Sequence, residues 1–351
     1  MRWLITGGAG FIGCNAARRL AAEGHEVLVL DNFSRKGAAE NLDWLQHQGP
    51  VASVHADVRD FPALRRVVAR GFDVVLHLAA QVAVTESVRD PRTDFEINAL
   101  GTFNVCEAVR QGCPEAILLN ASTNKVYGGM EDVRIEERNG RYRCADHSQG
   151  IGEDRPLDFH SPYGCSKGAA DQYVRDYARI YGLRTVTFRQ SCIYGPRQLG
   201  VEDQGWVAWF TIAAALGLPL TIYGDGKQVR DVLYVDDLIH CYLRAVARIG
   251  RASGQAYNIG GGPSNTLSLL ELLDHLERLG GRPIPRQFAG WRPGDQPVFI
   301  CDLTKAEAEL GWSPKTSVDE GIEHLWAWVR AHRDLLVGVV GAPAPVDGGG
   351  R

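Results

Sequence analysis

The sequence predicts an α/β protein, a doubly wound parallel sheet followed by a smaller carboxyl-terminal domain. Three observations carry this expectation. Arg2 to Thr6 is a short apolar strand that runs at once into Gly7-Gly8-Ala9-Gly10-Phe11-Ile12-Gly13, then a helix from about Cys14 to Glu23 and a strand from Glu26 to Leu30. Strands and helices then alternate as far as Gln190, the pattern of a parallel sheet covered on both faces. Beyond Gln190 the alternation fails and shorter mixed segments follow.

The first unit suits a dinucleotide pyrophosphate. Glycines allow the phosphates close to the backbone, and the helix N-terminus meets their charge. The spacing is G-x-x-G-x-x-G over Gly7, Gly10 and Gly13. Asp31, followed by Asn32, ends the second strand, where a carboxylate accepts from adenosine ribose hydroxyls and repels a 2′-phosphate. NAD is therefore favoured over NADP, although Arg35 and Lys36 nearby can reverse that preference and Asp31 can equally cap a turn.

Val51 to Val58 reads as a strand closing on Asp57 and Val58. Phe72 to Gln81 reads as an apolar strand ending in Leu78-Ala79-Ala80-Gln81, small residues at the edge where such sheets bind ligands. Phe95 to Gln111 is expected as a helix carrying Asn98, and Ala116 to Ala121 as a buried strand opening into Ser122-Thr123-Asn124-Lys125-Val126-Tyr127-Gly128. Gly129 to Pro156, polar and without periodicity, reads as a long surface loop. Arg184 to Arg189 is the sixth strand. Helices are expected over Trp206 to Leu216, Asp236 to Ile249 and Leu267 to Leu279, the last capped by Ser264 or Asn265, with a short strand at Leu220 to Tyr223.

The chemistry centres on Phe159-His160-Ser161-Pro162-Tyr163-Gly164-Cys165-Ser166-Lys167. Pro162 fits the first turn of a helix, because its missing N–H is not needed there. Tyr163 and Lys167 then lie one turn apart on one face. An ammonium held beside a phenol is expected to favour the phenolate and lower a pKa that starts at about 10. Such a phenol can exchange a proton with a sugar hydroxyl near neutral pH. A hydroxyl from Thr123 or Ser122 belongs to the same sheet edge as the glycine loop.

Composition narrows the class. The 351 residues carry a formal net charge of −4, which gives no general attraction to nucleic acid or to an anionic membrane. No apolar run approaches the length of a membrane span. The strand beginning at Arg2 leaves no room for a signal peptide. Eight cysteines without a C-x-x-C pair argue against a metal site and for reduced thiols in a cytoplasm. The expected division is a nucleotide-binding (Rossmann) domain over 1–188 and 228–262, a substrate domain over 189–227 and 263–335, and a disordered tail over 336–351.

These motifs resemble the extended short-chain dehydrogenase/reductases that modify nucleotide sugars. The resemblance implies that Thr123, four residues before Tyr127, hydrogen-bonds the reacting oxygen, that Tyr163 is the acid/base, and that Lys167 orients the nicotinamide ribose. It implies cofactor contacts at Gly7, Gly10, Phe11, Ile12, Gly13, Asp31, Asn32, Asp57, Val58, Leu78 to Gln81 and Asn98. Gly224 to Asp231 and Arg292-Pro293-Gly294-Asp295 match the family's substrate segments, where Arg230 and Arg292 hold a diphosphate and Asp295 lies near a ribose. Tyr223 adjoins the first of these segments, and Gln190 and Cys192, after the sixth strand, are implied as substrate contacts as well. Where many members have R-x-x-N, this chain has Arg189-Gln190-Ser191-Cys192.

Within the family, Ser122 to Gly128, Leu157 to Tyr173 and Asp203-Gln204-Gly205-Trp206-Val207 are similar to the CDP-tyvelose (CDP-paratose) 2-epimerases. Asn124 and Lys125 fall in the first of these segments and imply substrate contacts. Trp206 and Trp209 can pack on a nucleotide or in the core. The implied reaction is inversion at carbon 2 of a CDP-hexose through a transient 2-keto sugar, with NAD retained and a homodimer or homotetramer built on the helices near Phe95 to Gln111 and Tyr163 to Tyr181. A UDP-sugar 4-epimerase is the alternative, because the same three groups serve either carbon. A 4,6-dehydratase needs Asp-Glu where this chain has Asn124-Lys125, and a non-catalytic NAD sensor has no need of the intact tyrosine and lysine.

Overall fold

The computed structural model describes residues 1–202, 204–292 and 295–340. Asp203, Pro293, Gly294 and the end of the expected tail, 341–351, lie outside the described residues. Seven parallel strands form the main sheet, in the order Gln255–Ile259, Arg184–Gln190, Ile117–Thr123, Val74–His77, Arg2–Thr6, Glu26–Asp31, Ala52–His55. The order reverses between Arg2–Thr6 and Val74–His77, and such a reversal opens a crevice at the strands' carboxyl ends. The central strands are apolar throughout, as two covered faces require: Leu4, Ile5, Val75, Leu76 and Leu118 are wholly buried.

The smaller domain has its own core, in which Ile212, Leu272, Leu273, Ile322 and Leu325 are wholly buried. Val229–Tyr234 is its central strand. It pairs with Thr266–Ser268, with Val298–Phe299 and, at its other end, with Cys192–Tyr194. Segment 228–262 is thus shared between domains, since Val229–Tyr234 joins the small sheet while Gln255–Ile259 closes the edge of the large one.

Four expectations need correction. The helix expected over Phe95 to Gln111 is broken into Pro91–Phe95, a π-helical turn Glu96–Leu100, and Gly101–Gly112. The widened turn coincides with Thr102 Oγ1 donating to the Asn98 carbonyl at 2.6 Å while the Asn98 side chain reaches out to Gln81. The surface loop Gly129 to Pro156 contains a hairpin, Ile135–Arg138 with Arg141–Cys144. Its turn is Asn139-Gly140, both at positive φ (54° and 75°), which matches the twist of the strands it joins. Helix Leu269–Gly280 is capped by Ser268 in a reciprocal pair with Glu271, because Thr266–Ser268 is drawn into the small sheet and moves the helix start past Ser264 and Asn265. Finally, residues 336–340 of the expected disordered tail are helical, within Arg333–Val340, and bury Leu336 and Val339.

One polar network ties the layers together behind the crevice. Asp171, on helix Ser161–Tyr181, accepts from Arg189 Nε at 3.0 Å and from Arg189 Nη2 at 3.1 Å, and both side chains are almost fully buried. Ser122 Oγ donates to Asp171 Oδ2 at 2.8 Å, and Arg189 Nη1 donates to the Tyr127 hydroxyl at 3.0 Å. Tyr127 in turn donates to Asn258 Oδ1 at 2.7 Å on the edge strand. Replacing one partner leaves a buried charge unpaired. Asp171→Asn is therefore expected to destabilise the fold by about 3–5 kcal/mol, read as a lower urea midpoint at unchanged slope.

Candidate active site

A single cavity of about 580 Å³ runs along the carboxyl edge of the main sheet and under the smaller domain. It gathers every site residue expected from the sequence except Gln81 and Asn98. Those two stand behind its wall: Gln81 N donates to Asn98 Oδ1 and Asn98 Nδ2 donates to the Gln81 carbonyl, each at 3.0 Å. They brace the segment Leu78–Ala80, which does face the cavity.

At one end lies the glycine loop. Gly7 takes φ +68°, and a Cβ there would lie 2.6 Å from the Ala79 nitrogen. A Cβ on Gly13 would lie 2.4 Å from the Gly7 carbonyl oxygen. Helix Phe11–Ala22 starts from Gly10 with no side-chain cap, so its first N–H groups remain for an anion. Asp31 accepts from Ala9 N at 3.0 Å and from Phe33 N at 2.9 Å, which locks the loop to the second strand and aims the remaining lone pairs at a ribose. Asn32 donates to Asp57 at 2.9 Å, and the hydrogen bond from Arg59 holds the Asp57 carboxyl well below the usual carboxylate range. This cradle fits a dinucleotide.

In the middle, Tyr163, Thr123 and Lys167 converge. Ser122 spends its hydroxyl on Asp171, whereas Thr123 Oγ1 lies beside the Tyr163 phenol and donates to Asn124 Oδ1 at 3.4 Å, so the structure separates two hydroxyls that the sequence left equivalent. Thr123 Oγ1 also accepts from Lys125 N at 3.2 Å, the turn bond that is the ordinary use of such a residue. Lys167 Nζ donates to the Ala121 carbonyl at 2.5 Å. The expected lowering of the Tyr163 pKa is not what the structure shows. Burial pushes the Tyr163 phenol up to about 12, with the Asp94 carboxylate adding to the rise and the Thr123 hydrogen bond opposing it. Burial likewise brings Lys167 down to about 8, against the attraction of Asp171 and Asp94. Desolvation exceeds the proximity effect that the one-turn spacing suggested.

Toward the small domain the cavity becomes a charged throat. Arg230 Nη2 donates to Asp295 Oδ1 at 2.7 Å. Lys125 lies close to both, and burial, with Arg230 adding to it, lowers its ammonium to about 8. Cys192, in the position of the family's asparagine, accepts from Trp206 Nε1 at 3.4 Å, and burial raises its thiol. Gln190 Nε2 donates to the Tyr242 hydroxyl at 2.6 Å. Gln204, Trp206 and Val207 complete that wall, while Trp209 packs against the small-domain core. At the far side, Arg292 lies with its guanidinium 3.9 Å from the centroid of the Tyr223 ring.

Comparison with known proteins follows this geometry. The family model described as GDP-mannose 4,6 dehydratase matches residues 4–325. The chain belongs to this family. A CDP-paratose 2-epimerase of Salmonella typhi is 46% identical over 337 residues, covering 94% of this chain and 100% of that protein. The crystal structure of a UDP-glucose 4-epimerase with UDP-glucose from Thermotoga maritima superposes with a TM-score of 0.81 at 30% identity, covering 95% and 100% of the two chains. A UDP-glucose 4-epimerase of Thermus thermophilus in complex with NAD is 34% identical at a TM-score of 0.78, covering 94% and 99%.

Against this family background, two features escaped sequence reasoning. One is Asp94, almost fully buried, which accepts from Ser166 Oγ at 2.5 Å, from Gln81 Nε2 at 2.8 Å and from Asn98 Nδ2 at 3.0 Å, and so docks the tyrosine helix on the cofactor side. No local pattern marks it. The other is the segment Gly195 to Gly200, whose Arg197 to Gly200 line the cavity, with Asn15 Nδ2 donating to the Pro196 carbonyl at 2.9 Å and Leu199 pressed on Gly37. Its Gly195-Pro196 dipeptide is the one turn signal that points to it.

The lowered Lys125 ammonium carries a stability consequence. Below pH 8 both folded and unfolded chains hold the proton, so the folded state bears the full cost of the buried charge. Between about 8 and 10.5 only the folded state releases the proton, so this residue's contribution to stability improves as pH rises. Lys125→Met is therefore expected to raise the melting temperature at pH 7, with the gain shrinking toward pH 10 in a paired thermal titration.

Proposed function

We propose that this chain is an NAD-dependent nucleotide-sugar epimerase that inverts carbon 2 of a CDP-hexose of the CDP-paratose or CDP-glucose type. The observation that carries the reading is the meeting of Thr123, Tyr163 and Lys167 in the one cavity that also holds the glycine loop and the charged throat. Choice of carbon rests on the 46%-identical 2-epimerase, and Asn124-Lys125, which cannot act as a dehydratase's acid and base, weighs against dehydration.

In this reading Gly7, Gly10, Gly13 and Asp31 hold the dinucleotide, and Lys167 meets the nicotinamide ribose. Bound NAD supplies the hydride acceptor and donor, and the positive charge of its oxidised ring favours the phenolate. Thr123 holds the reacting oxygen, and Tyr163 takes its proton as the 2-keto sugar forms. Tyr163 returns that proton once the sugar has turned over and received hydride on the opposite face. Arg230, Arg292 and Lys125 hold the diphosphate, and the overlying small domain excludes water from the ketone.

The protein is further proposed to be a homodimer or homotetramer. Tyr173 and Ile180, two turns apart on the tyrosine helix, are 49% and 67% exposed, and Phe95 is exposed as well. An apolar helix face of this kind is suited to a second copy. Sedimentation is expected to show a dimer or larger species, and Ile180→Arg is expected to shift it toward monomer.

CDP-paratose or CDP-glucose carrying deuterium at carbon 2 tests the chemistry. Product inverted at carbon 2 with the label retained, formed more slowly than from unlabelled substrate, is the expected outcome. Label lost to water removes hydride return, and inversion at carbon 4 transfers the case to the UDP-sugar-type alternative. In the same assay Tyr163→Phe is expected to lower turnover at least about a hundredfold.

A further inference from the structure

Past the Arg230–Asp295 pair the cavity ends in a compact group on the small domain. Gln228 Nε2 donates to the Tyr223 carbonyl at 2.5 Å, which fixes the end of strand Leu220–Tyr223. The Arg292 guanidinium lies over the Tyr223 ring, and Arg292 Nη2 donates to the Glu202 carbonyl at 3.2 Å. The Tyr223 hydroxyl donates to Glu202 Oε1 at 3.1 Å. Glu202, Tyr223 and Arg292 all line the cavity. With Arg292 on one face, the other face of the Tyr223 ring is a platform for a base, and the carboxylate stands at its hydroxyl edge. Asp295, the other carboxylate in this part of the cavity among the described residues, is already taken by Arg230.

We infer that Glu202 is the residue by which this site selects cytosine over uracil, an inference that rests on the nucleotide-sugar reading above. The two bases differ along one edge. Cytosine offers an amino donor on carbon 4 and an acceptor at nitrogen 3, whereas uracil offers a carbonyl on carbon 4 and an N–H flanked by two carbonyls. An ionised carboxylate only accepts, and Tyr223 occupies one of its roughly four lone-pair sites. It therefore pairs with the cytosine amino group, the same pairing by which acidic side chains read cytosine in DNA. Placed against uracil, it meets carbonyl oxygens on either side of the single N–H. The Tyr223 hydroxyl holds the carboxylate in place before the base arrives, so the discrimination is built into the empty site.

The test measures binding of free CDP and free UDP by calorimetry to the full chain with its cofactor, for wild type and for Glu202→Gln. Wild type is expected to bind CDP at least about fivefold more tightly than UDP, the lower bound for one good base contact. Glutamine keeps the length and can present either a donor or an acceptor, so in Glu202→Gln the two affinities are expected to converge. A ratio unchanged in the variant overturns the inference, as does wild type that binds both nucleotides equally, and either result leaves the epimerase reading standing. Wild type that binds neither nucleotide overturns both.

Discussion

The buried ion pair between Asp171 and Arg189 is the constraint on which the site depends. Arg189 sits on a strand of the main sheet and Asp171 on the helix that crosses it, four residues beyond Lys167. Their two hydrogen bonds set how far along the sheet edge that helix sits, and so where Tyr163 and Lys167 enter the cavity. Ser122, Tyr127 and Asn258 extend the network to the neighbouring strands. A buried pair of this kind adds little net stability over an apolar packing, but it tolerates few alternative alignments. The one-turn spacing of tyrosine and lysine places them on one face, and the pair decides what that face meets.

A second arrangement repeats the theme from the other side. Asp94 gathers donors from Ser166, Gln81 and Asn98, joining the tyrosine helix to the loop behind the nicotinamide position. The π-helical turn at Glu96–Leu100 lets Asn98 reach that loop while its carbonyl is held by Thr102. The tyrosine helix is thus held by a carboxylate network on each flank. Rigid support of this sort suits chemistry that must present both faces of one carbon to the same hydride position.

Burial makes the ammonium charges of Lys167 and Lys125 costly in the free protein and keeps the Tyr163 phenol neutral. Burial opposes ionisation of Tyr163, Lys167 and Lys125 alike. The balance is expected to change when a positively charged ring and a diphosphate enter the site, so charges that weaken the empty fold become binding and orienting groups.

By itself the sequence determined what short-range spacing can encode. The glycine loop, the strand ending in Asp31, the Tyr163–Lys167 turn and the Arg230 and Arg292 segments are each local patterns, and all of them face one cavity. The Asn139-Gly140 turn was equally local, but its polar flanks hid the alternation that marks a hairpin. Only the tertiary structure decided the rest. It chose Thr123 over Ser122 as the hydroxyl beside Tyr163, because Asp171, distant in sequence, claims the serine. It placed Gln81 and Asn98 behind the cavity wall, since their hydrogen bonds go to each other and to Asp94. It reversed the expected shift of Tyr163, because spacing reports which groups are near, whereas the energy of an ionised group depends on how much water the whole fold has removed from around it.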